Sequence, residues 1–394
     1  MITIVGAGIG GLSLAIRCRQ LGLDVRILEA RSAPTSEGAG IQIGPNASRL
    51  LDQMGVLPRL RPNAASPDAI LARDGQSLRV LQRMPLGASI ADRHGAPYLV
   101  AHRADLAHAL LETATTDHNV PLTFGARVTD VGQTNGSDGT VQIAIEDAQP
   151  VAATCVIAAD GLWSRLRDAM QDGIRPRFAY AGRCAARTVR ATAELPTAMQ
   201  SNDVAAWMSP DGHLVHYPVS GDRTAIILVT VQDNPGAEWG HPWDAEQATR
   251  AMQKIAPALA AGWARDGNWR RWPLFEVDAA LRWHKGAIAL LGDAAHPILP
   301  FLAQGGAMAI EDGWCLASHL ATFNAPSEAF SSFEAERRSR VARLQEASRQ
   351  NGRIFHLGGA MRAARNAALR TVPGKLIMRR YDWLYGWRPP DVLR

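Results

Sequence analysis

Lysine is nearly missing from this chain of 394 residues: Lys254, Lys285 and Lys375 stand among 42 basic side chains, the others all arginine. The formal net charge is +5, yet the arginines are scattered and build no basic run interleaved with aromatics. That excludes a nucleic-acid platform and leaves ordinary surface charge. Cysteine is scarce as well. Cys18, Cys155, Cys184 and Cys315 lie far apart with no CxxC or Cys/His cluster, so neither a disulfide framework nor a metal site is expected, and a reducing cytoplasm is the expected location. No apolar run approaches the roughly 18 residues of a membrane span. The chain opens directly on Ile2-Thr3-Ile4-Val5, without the basic and apolar stretches of a leader.

What is present is apolar residue in quantity, 47% of the chain, enough for a large core. The first unit reads as strand Ile2 to Val5, glycine turn Gly6 to Gly11, helix Leu12 to Leu21 and strand Val25 to Leu28. A strand pair is expected around Asp74-Gly75, a helix over Arg103 to Thr115, and a β-meander over Leu122 to Ile157. From Ala179 to Val277 alternating segments (Val204 to Met208, His213 to Tyr217, Ala225 to Val231) predict an antiparallel sheet. A buried strand, Ala287 to Leu291, and a helix from Gln304 to Leu320 follow, and the remainder is helical by pattern and rich in arginine. The fold class is therefore α/β: a Rossmann-like domain interleaved with an antiparallel sheet domain, plus a helical C-terminal tail.

Gly6-Ala7-Gly8-Ile9-Gly10-Gly11 follows a strand, opens a helix and is answered by Glu29 at the end of the next strand. Gly6 permits the tight turn, Gly8 lets backbone approach a pyrophosphate, and Gly11 lets helix and strand pack closely. The helix N-terminus offers free N–H groups to phosphates, and Glu29 is placed for ribose hydroxyls. Arg31, two positions on, is counted with it among the cofactor-binding candidates. This spacing predicts dinucleotide binding without separating NAD from FAD.

Two later segments separate them. The first is Ala159-Asp160-Gly161-Leu162-Trp163-Ser164-Arg165. The second is Leu291-Gly292-Asp293-Ala294-Ala295-His296-Pro297, continuing through Pro300 to Gln304-Gly305-Gly306 and Glu311-Asp312. Taken singly, Asp160 and Asp293 also read as helix caps. In this order the motifs resemble the single-component flavoprotein monooxygenases of the para-hydroxybenzoate and salicylate hydroxylase type, over roughly residues 1 to 325. The resemblance implies FAD as cofactor, with Glu29 on the adenosine ribose, Asp293 on the ribityl chain and Arg103 on the phosphates or ribityl. It implies that Asp160-Gly161 serves both FAD and NAD(P)H, and that Gly305 and Gly306 face the flavin pyrimidine and N5 side. There is no second GxGxxG, which fits transient use of NADH or NADPH as co-substrate. The implied domains are 1–70, 98–178 and 278–325 for FAD, 71–97 and 179–277 for substrate, and 326–394 as the helical region. The resemblance also implies that reduced flavin activates O2 and passes one oxygen to a small aromatic substrate, in a monomer or homodimer.

If His213-Leu214-Val215-His216-Tyr217-Pro218 is a strand, period two puts His213, Val215 and Tyr217 on one face and His216 on the other. His213 is then the candidate base, with Tyr217 beside it; a sheet histidine and a core tyrosine are the plainer reading. Arg187 is a candidate for a substrate carboxylate. The small Ala185-Ala186 before it, where the family often has a bulky residue, implies a roomier pocket. Pro300, Phe301 and Leu302 are expected to roof the site and Trp207 and Met208 to line it. His296 reads as structural. The aromatic segment Tyr381 to Trp387 is expected to dock on the cofactor domain or a second subunit. Rival readings are a flavin-dependent halogenase, a flavin reductase or oxidase, and a non-catalytic FAD-binding redox sensor. Trp269-Arg270-Arg271-Trp272-Pro273 resembles the halogenase motif only superficially.

Overall fold

The computed structural model describes residues 1–34, 38–133, 140–170, 178–231, 239–260, 263, 268–277 and 281–390. Ile2–Val5 is buried at all four positions, as a strand covered on both faces must be. It pairs in parallel with Val25–Glu29 on one side and with Cys155–Ala158 on the other. The helix Ile9–Gln20 makes the crossover between the first two strands. The sheet is completed by Leu122–Phe124 at one end and by Ile288–Leu290, with a short antiparallel edge His284–Lys285, at the other. Leu122–Phe124 and Cys155–Ala158 thus belong to the parallel sheet. The expected meander is confined to Val128–Gln133, Val141–Ile145 and Val151–Ala153.

The second sheet has eight strands in the order His241–Trp243, Trp269–Val277, Phe178–Ala191, Arg223–Val231, Gly212–Val219, Val204–Ser209, Ala69–Asp74 and Val80–Pro85. All neighbours are antiparallel except Val204–Ser209 with Ala69–Asp74. Its two faces differ in what covers them. One carries Trp207, Leu214, Ile226 and Leu228 into a core shared with Met252 and Ile255 of the helix Ala245–Ile255. The other is the floor of a cavity.

The C-terminal helices close over that floor. Pro326–Phe355 runs 30 residues, about 45 Å at 1.5 Å per residue. Gly359–Thr371 and Gly374–Arg379 then cross the edge strand Val80–Pro85: the Gln82 side chain donates to the Leu369 carbonyl at 2.7 Å, and Arg362 pairs with Asp74 at 2.8 Å. A Cβ on Gly374 would stand 2.1 Å from the Arg83 carbonyl oxygen, so this close crossing requires glycine. The aromatic end docks back on the parallel-sheet side. Tyr385 meets Tyr98 edge-on with centroids 5.9 Å apart, and Arg49 donates to the Trp387 carbonyl at 2.8 Å.

Candidate active site

One end of the site is made by the first glycine turn. Gly6 has φ +108°, and a Cβ there would lie 2.5 Å from the Ala159 carbonyl oxygen; on Gly11 it would lie 2.1 Å from the Gly6 carbonyl oxygen. At Gly8 the same atom would meet nothing within 4 Å: that face is open to the cavity. The helix begins at Ile9 with no side-chain cap, so its first N–H groups point at whatever fills the space. Glu29 is buried, its carboxylate accepting from the Ala7 N–H at 2.7 Å and from the Arg31 N–H and Nε at 2.9 Å. Against burial, which raises its pKa, those hydrogen bonds hold it below the usual carboxylate range.

The opposite wall begins at Gly292, follows the cavity-facing Asp293 and Pro300, and reaches the uncapped N-terminus of the helix Gly305–Thr322. A buried ionic cluster pins this helix. Arg337 donates to Glu311 at 2.7 Å and to Asp312 at 2.8 Å, while Arg340 and Asn46 each reach Glu311 at 2.7 Å. His296 completes it at 2.7 Å from Asp312, which gives it the structural role expected. Burial alone would raise both carboxyls, but Arg340 and Arg337 on Glu311, and His296 and Arg337 on Asp312, hold them low.

Between these walls lies a cavity of about 840 Å³. Gly8, Arg103, Arg187, His213, Tyr217, Asp293, Pro300, Leu302, Gly305 and Gly306, distant in sequence, all line it. Phe301 and Met208 line it too. Gly6 and Gly11 stand behind Gly8, Glu29 is tied to the same turn through the Ala7 N–H, and Arg31 is half-exposed beside Glu29. Asp160 lies between the lining residues Ala159 and Gly161, with one carboxylate oxygen buried and without a hydrogen-bond partner. Burial raises its pKa, partly offset by the Ser164 hydroxyl.

The strand Gly212–Val219 presents His213, Val215 and Tyr217 to the cavity, while His216 stacks on Trp207 across the sheet at 6.0 Å. Trp207 is therefore withdrawn as a lining residue. Its neighbours Ala206 and Met208 face the cavity, and its ring is buried in the opposite core. Neither Ala185 nor Ala186 itself lines the cavity: Ala186 is buried in the opposite core, and Ala185 packs behind the lining residues Val229 and Phe301.

Arg187 is sunk in the cavity wall with its Nε lacking a partner. Burial first, then the nearby Arg103, lower its pKa. His213 Nδ1 lies 2.8 Å from His356 Nε2, and the ring is boxed by Phe301 and Phe355 at 5.6 and 5.1 Å. Burial, His356 and Arg183 push the His213 pKa well below its usual value, so the imidazole is neutral. Tyr217 is fixed by Gly40, where a Cβ would stand 2.3 Å from the tyrosine ring, and by a hydrogen bond with Gln42. Gln42 also accepts from the Tyr98 hydroxyl at 2.5 Å. His356, Gln42 and Tyr98 were not among the sequence candidates; no local spacing announces them.

The profile of the FAD-binding-domain family matches residues 1–348. The chain is 32% identical to 3-hydroxybenzoate 6-hydroxylase of Polaromonas naphthalenivorans over 398 aligned positions, covering 100% of this chain and 97% of that one. The chain belongs to the FAD-dependent aromatic hydroxylases. The chain is also 34% identical to 6-hydroxynicotinate 3-monooxygenase of Bordetella bronchiseptica, covering 89% of this chain and 91% of the relative. Among solved structures it is similar to Klebsiella pneumoniae HpxO complexed with FAD and uric acid. That match has a TM-score of 0.84 and 26% identity, covering 96% of this chain and 95% of that one. The chain is thus an FAD enzyme of a family for which NAD(P)H is typical, with a Rossmann-like parallel sheet, an antiparallel sheet and long C-terminal helices. Its cavity suits that cofactor: two uncapped helix N-termini for anionic or electron-rich groups, open faces at Gly8 and Gly305, and an unsatisfied Asp160 oxygen. Among the described residues no helix is long and apolar enough to cross a membrane.

Proposed function

We propose that the hydroxylase inserts one oxygen atom into a phenolic or N-heteroaromatic ring that carries a carboxylate. The ring C–H becomes C–OH, NAD(P)H supplies two electrons, and the second atom of O2 leaves as water. The observation that carries this reading is Arg187, a half-buried guanidinium over the Trp272 ring with its buried Nε lacking a hydrogen-bond partner, on the same sheet face as His213 and Tyr217. Arg187 pairs with Ile227, which pairs with Val215. Two strand spacings, roughly 10 Å, therefore separate the arginine from the His213 strand. That leaves room for a ring with its carboxylate on one side and its hydroxyl on the other. The hydroxybenzoate and hydroxynicotinate in the names of the relatives are rings of this kind.

FAD, when bound, supplies the oxygen-activating chemistry. The protein's residues do the rest. Gly8 and the helix behind it would receive the pyrophosphate, with Glu29 and Arg31 toward the ribose. Asp293 and Arg103 would hold the ribityl and phosphates, and Gly305 and Gly306 would receive the flavin, with Asp160-Gly161 alongside. Arg187 binds the carboxylate by charge-assisted hydrogen bonds, and Pro300 and Leu302 cover the ring and exclude water. His213 has Nδ1 committed to His356 and so offers Nε2 to the ring hydroxyl. Kept neutral, it takes that proton and makes the ring more electron-rich at the carbon under attack. Tyr217 orients the same edge.

The test is NADH and NADPH oxidation by the purified flavoprotein against hydroxylated benzoates and pyridine carboxylates, with product and peroxide quantified. Stimulated oxidation with a hydroxylated product is expected. Oxidation that yields only peroxide with every ring compound would overturn the reading.

A further inference from the structure

The cavity does not end at the His213 strand. Its floor continues across Val204–Ser209 and Ala69–Asp74 to Val80–Pro85, three more strands. At about 4.8 Å per strand this adds roughly 14 Å, away from Arg187 and the glycine turns. The floor of this arm is Ile70, Ala72, Ala206 and Met84; its roof, from the helix Gly359–Thr371, includes Ala368 and Leu369. Three alanines stand in its lining, Ala72 and Ala206 in the floor and Ala368 in the roof, while Phe355 and Leu369 pack against Ala72 and Met208. The arm and its mouth are largely apolar, with Arg380 beside Leu376. Ile354, Met361, Val372 and Leu376 are four of the large hydrophobic residues the described structure leaves exposed, at 42, 61, 39 and 47%, and all four line this cavity. The helical side of the lining carries two cations, Arg365 and the exposed Arg380. Arg365 donates to the Ile354 and Phe355 carbonyls at 2.9 Å, and Arg362 forks onto Asp74.

We propose that this arm receives a hydrocarbon tail, so that the favoured substrate is a hydroxylated aromatic carboxylate bearing a linear alkyl chain on the ring edge opposite its carboxylate. The inference rests on the proposed hydroxylation, and its geometry fixes the orientation. Arg187 holds the carboxylate on one side, His213 stands in the middle, and the alanine-lined arm leaves from the far side. An apolar, solvent-open groove continuous with a reaction cavity gains most from a chain that covers it. The arm has room for a chain of up to roughly ten methylenes at about 1.25 Å each, a rise set by C–C bonds of about 1.5 Å.

The experiment uses holoenzyme and hydroxybenzoates alkylated para to the carboxylate, from methyl to octyl, with isomers alkylated ortho to it as controls. Dissociation constants come from the perturbation of the flavin spectrum, and kcat and KM from product formation. Affinity should tighten about threefold to fourfold per methylene, from the transfer free energy of a CH2 group, for para isomers only. Ala368→Trp, on the exposed face of a helix and so no threat to folding, should abolish that gain while leaving the unalkylated ring's KM unchanged. Ala72→Leu, blocking the floor, should do the same. Para alkylation that leaves affinity flat or weakens it, with unalkylated rings still hydroxylated, overturns the arm alone. Hydroxylation of none of these rings, alkylated or not, overturns the parent reading as well.

Discussion

His213 and His356, 143 positions apart, meet ring to ring with Nδ1 and Nε2 separated by 2.8 Å. One projects from a sheet, the other ends the long helix Pro326–Phe355, and neither is held by a carboxylate. Their contact joins the roof of the cavity to its floor at the point where the substrate hydroxyl is proposed to sit. It leaves Nε2 as the nitrogen that His213 would offer a substrate.

That arrangement makes the two histidines separable by kinetics. His213→Ala should lower kcat by about 100-fold, the lower end of what a positioned base contributes, with FAD content unchanged. His356 is a positioning residue. His356→Ala should shift the acid limb of the kcat/KM profile, since His213 would lose both an orienting hydrogen bond and a neighbour that lowers its pKa. A His356 variant with an unaltered pH profile would assign it to packing alone.

Asp293 faces the cavity from the turn that follows the buried strand Ile288–Leu290. If it holds the ribityl hydroxyls, Asp293→Ala forfeits hydrogen bonds to a charged group, about 1.5–3 kcal/mol, or roughly a 10- to 150-fold rise in the FAD dissociation constant. The measurement is flavin released per protein during dialysis against increasing urea. A variant that keeps FAD as tightly as the parent chain would remove Asp293 from the cofactor site.

The cofactor end was legible in the sequence because its chemistry is local. Gly6, Gly8 and Gly11 fall within six consecutive residues, and Glu29 is one crossover away. The faces of Gly212–Val219 were legible too, because that strand fixes His213 and Tyr217 by period two whatever lies around it. Trp207 was misread for a physical reason: Val204–Ser209 is buried at all six positions, so apolar alternation carried no phase. His356, Gln42 and Tyr98 join the site only through tertiary packing. The helical tail left its path unreadable, because Gly374 against Arg83 and Arg362 against Asp74 are contacts made across almost 300 positions.

Arg337 is 1% exposed and bridges Glu311 and Asp312, both fully buried. Removing one member of such a cluster leaves a buried charge uncompensated, at a cost of about 3–5 kcal/mol. Arg337→Met should therefore lower Tm by several degrees and loosen the helix whose N-terminus, Gly305, faces the cavity. Flavin loss should accompany unfolding at lower temperature. A second change, Asp312→Asn with Arg337→Met, should recover part of the stability, because Glu311 keeps Arg340 as its cation while the carboxylate that lost its arginine becomes neutral. Equal stability of parent and single variant would contradict the assignment of this cluster as the clamp.

Stability should fall as the pH drops below about 6.5, before the carboxylates titrate. Burial lowers the pKa of His356 to about 4 and of His216 to about 3, with Arg183 and Arg73 the next causes, and lowers His213 and His94 as well. The sign follows from proton counting. The unfolded chain binds protons near pH 6.5 while the folded chain refuses them, so stability is full above that value and is lost as pH falls toward about 4. Each such histidine contributes a slope of up to about 1.4 kcal/mol per pH unit. His216 is the cleanest probe, since both its ring nitrogens are buried without partners and it stacks on Trp207 away from the cavity. His216→Phe keeps the ring and removes the titration. Tm measured from pH 7.5 to 4.5 should decline less steeply in this variant, with kcat unchanged at neutral pH. If variant and parent decline in parallel, His216 is not held neutral by the fold, and the acid sensitivity lies in the remaining histidines or in the Glu311 and Asp312 cluster.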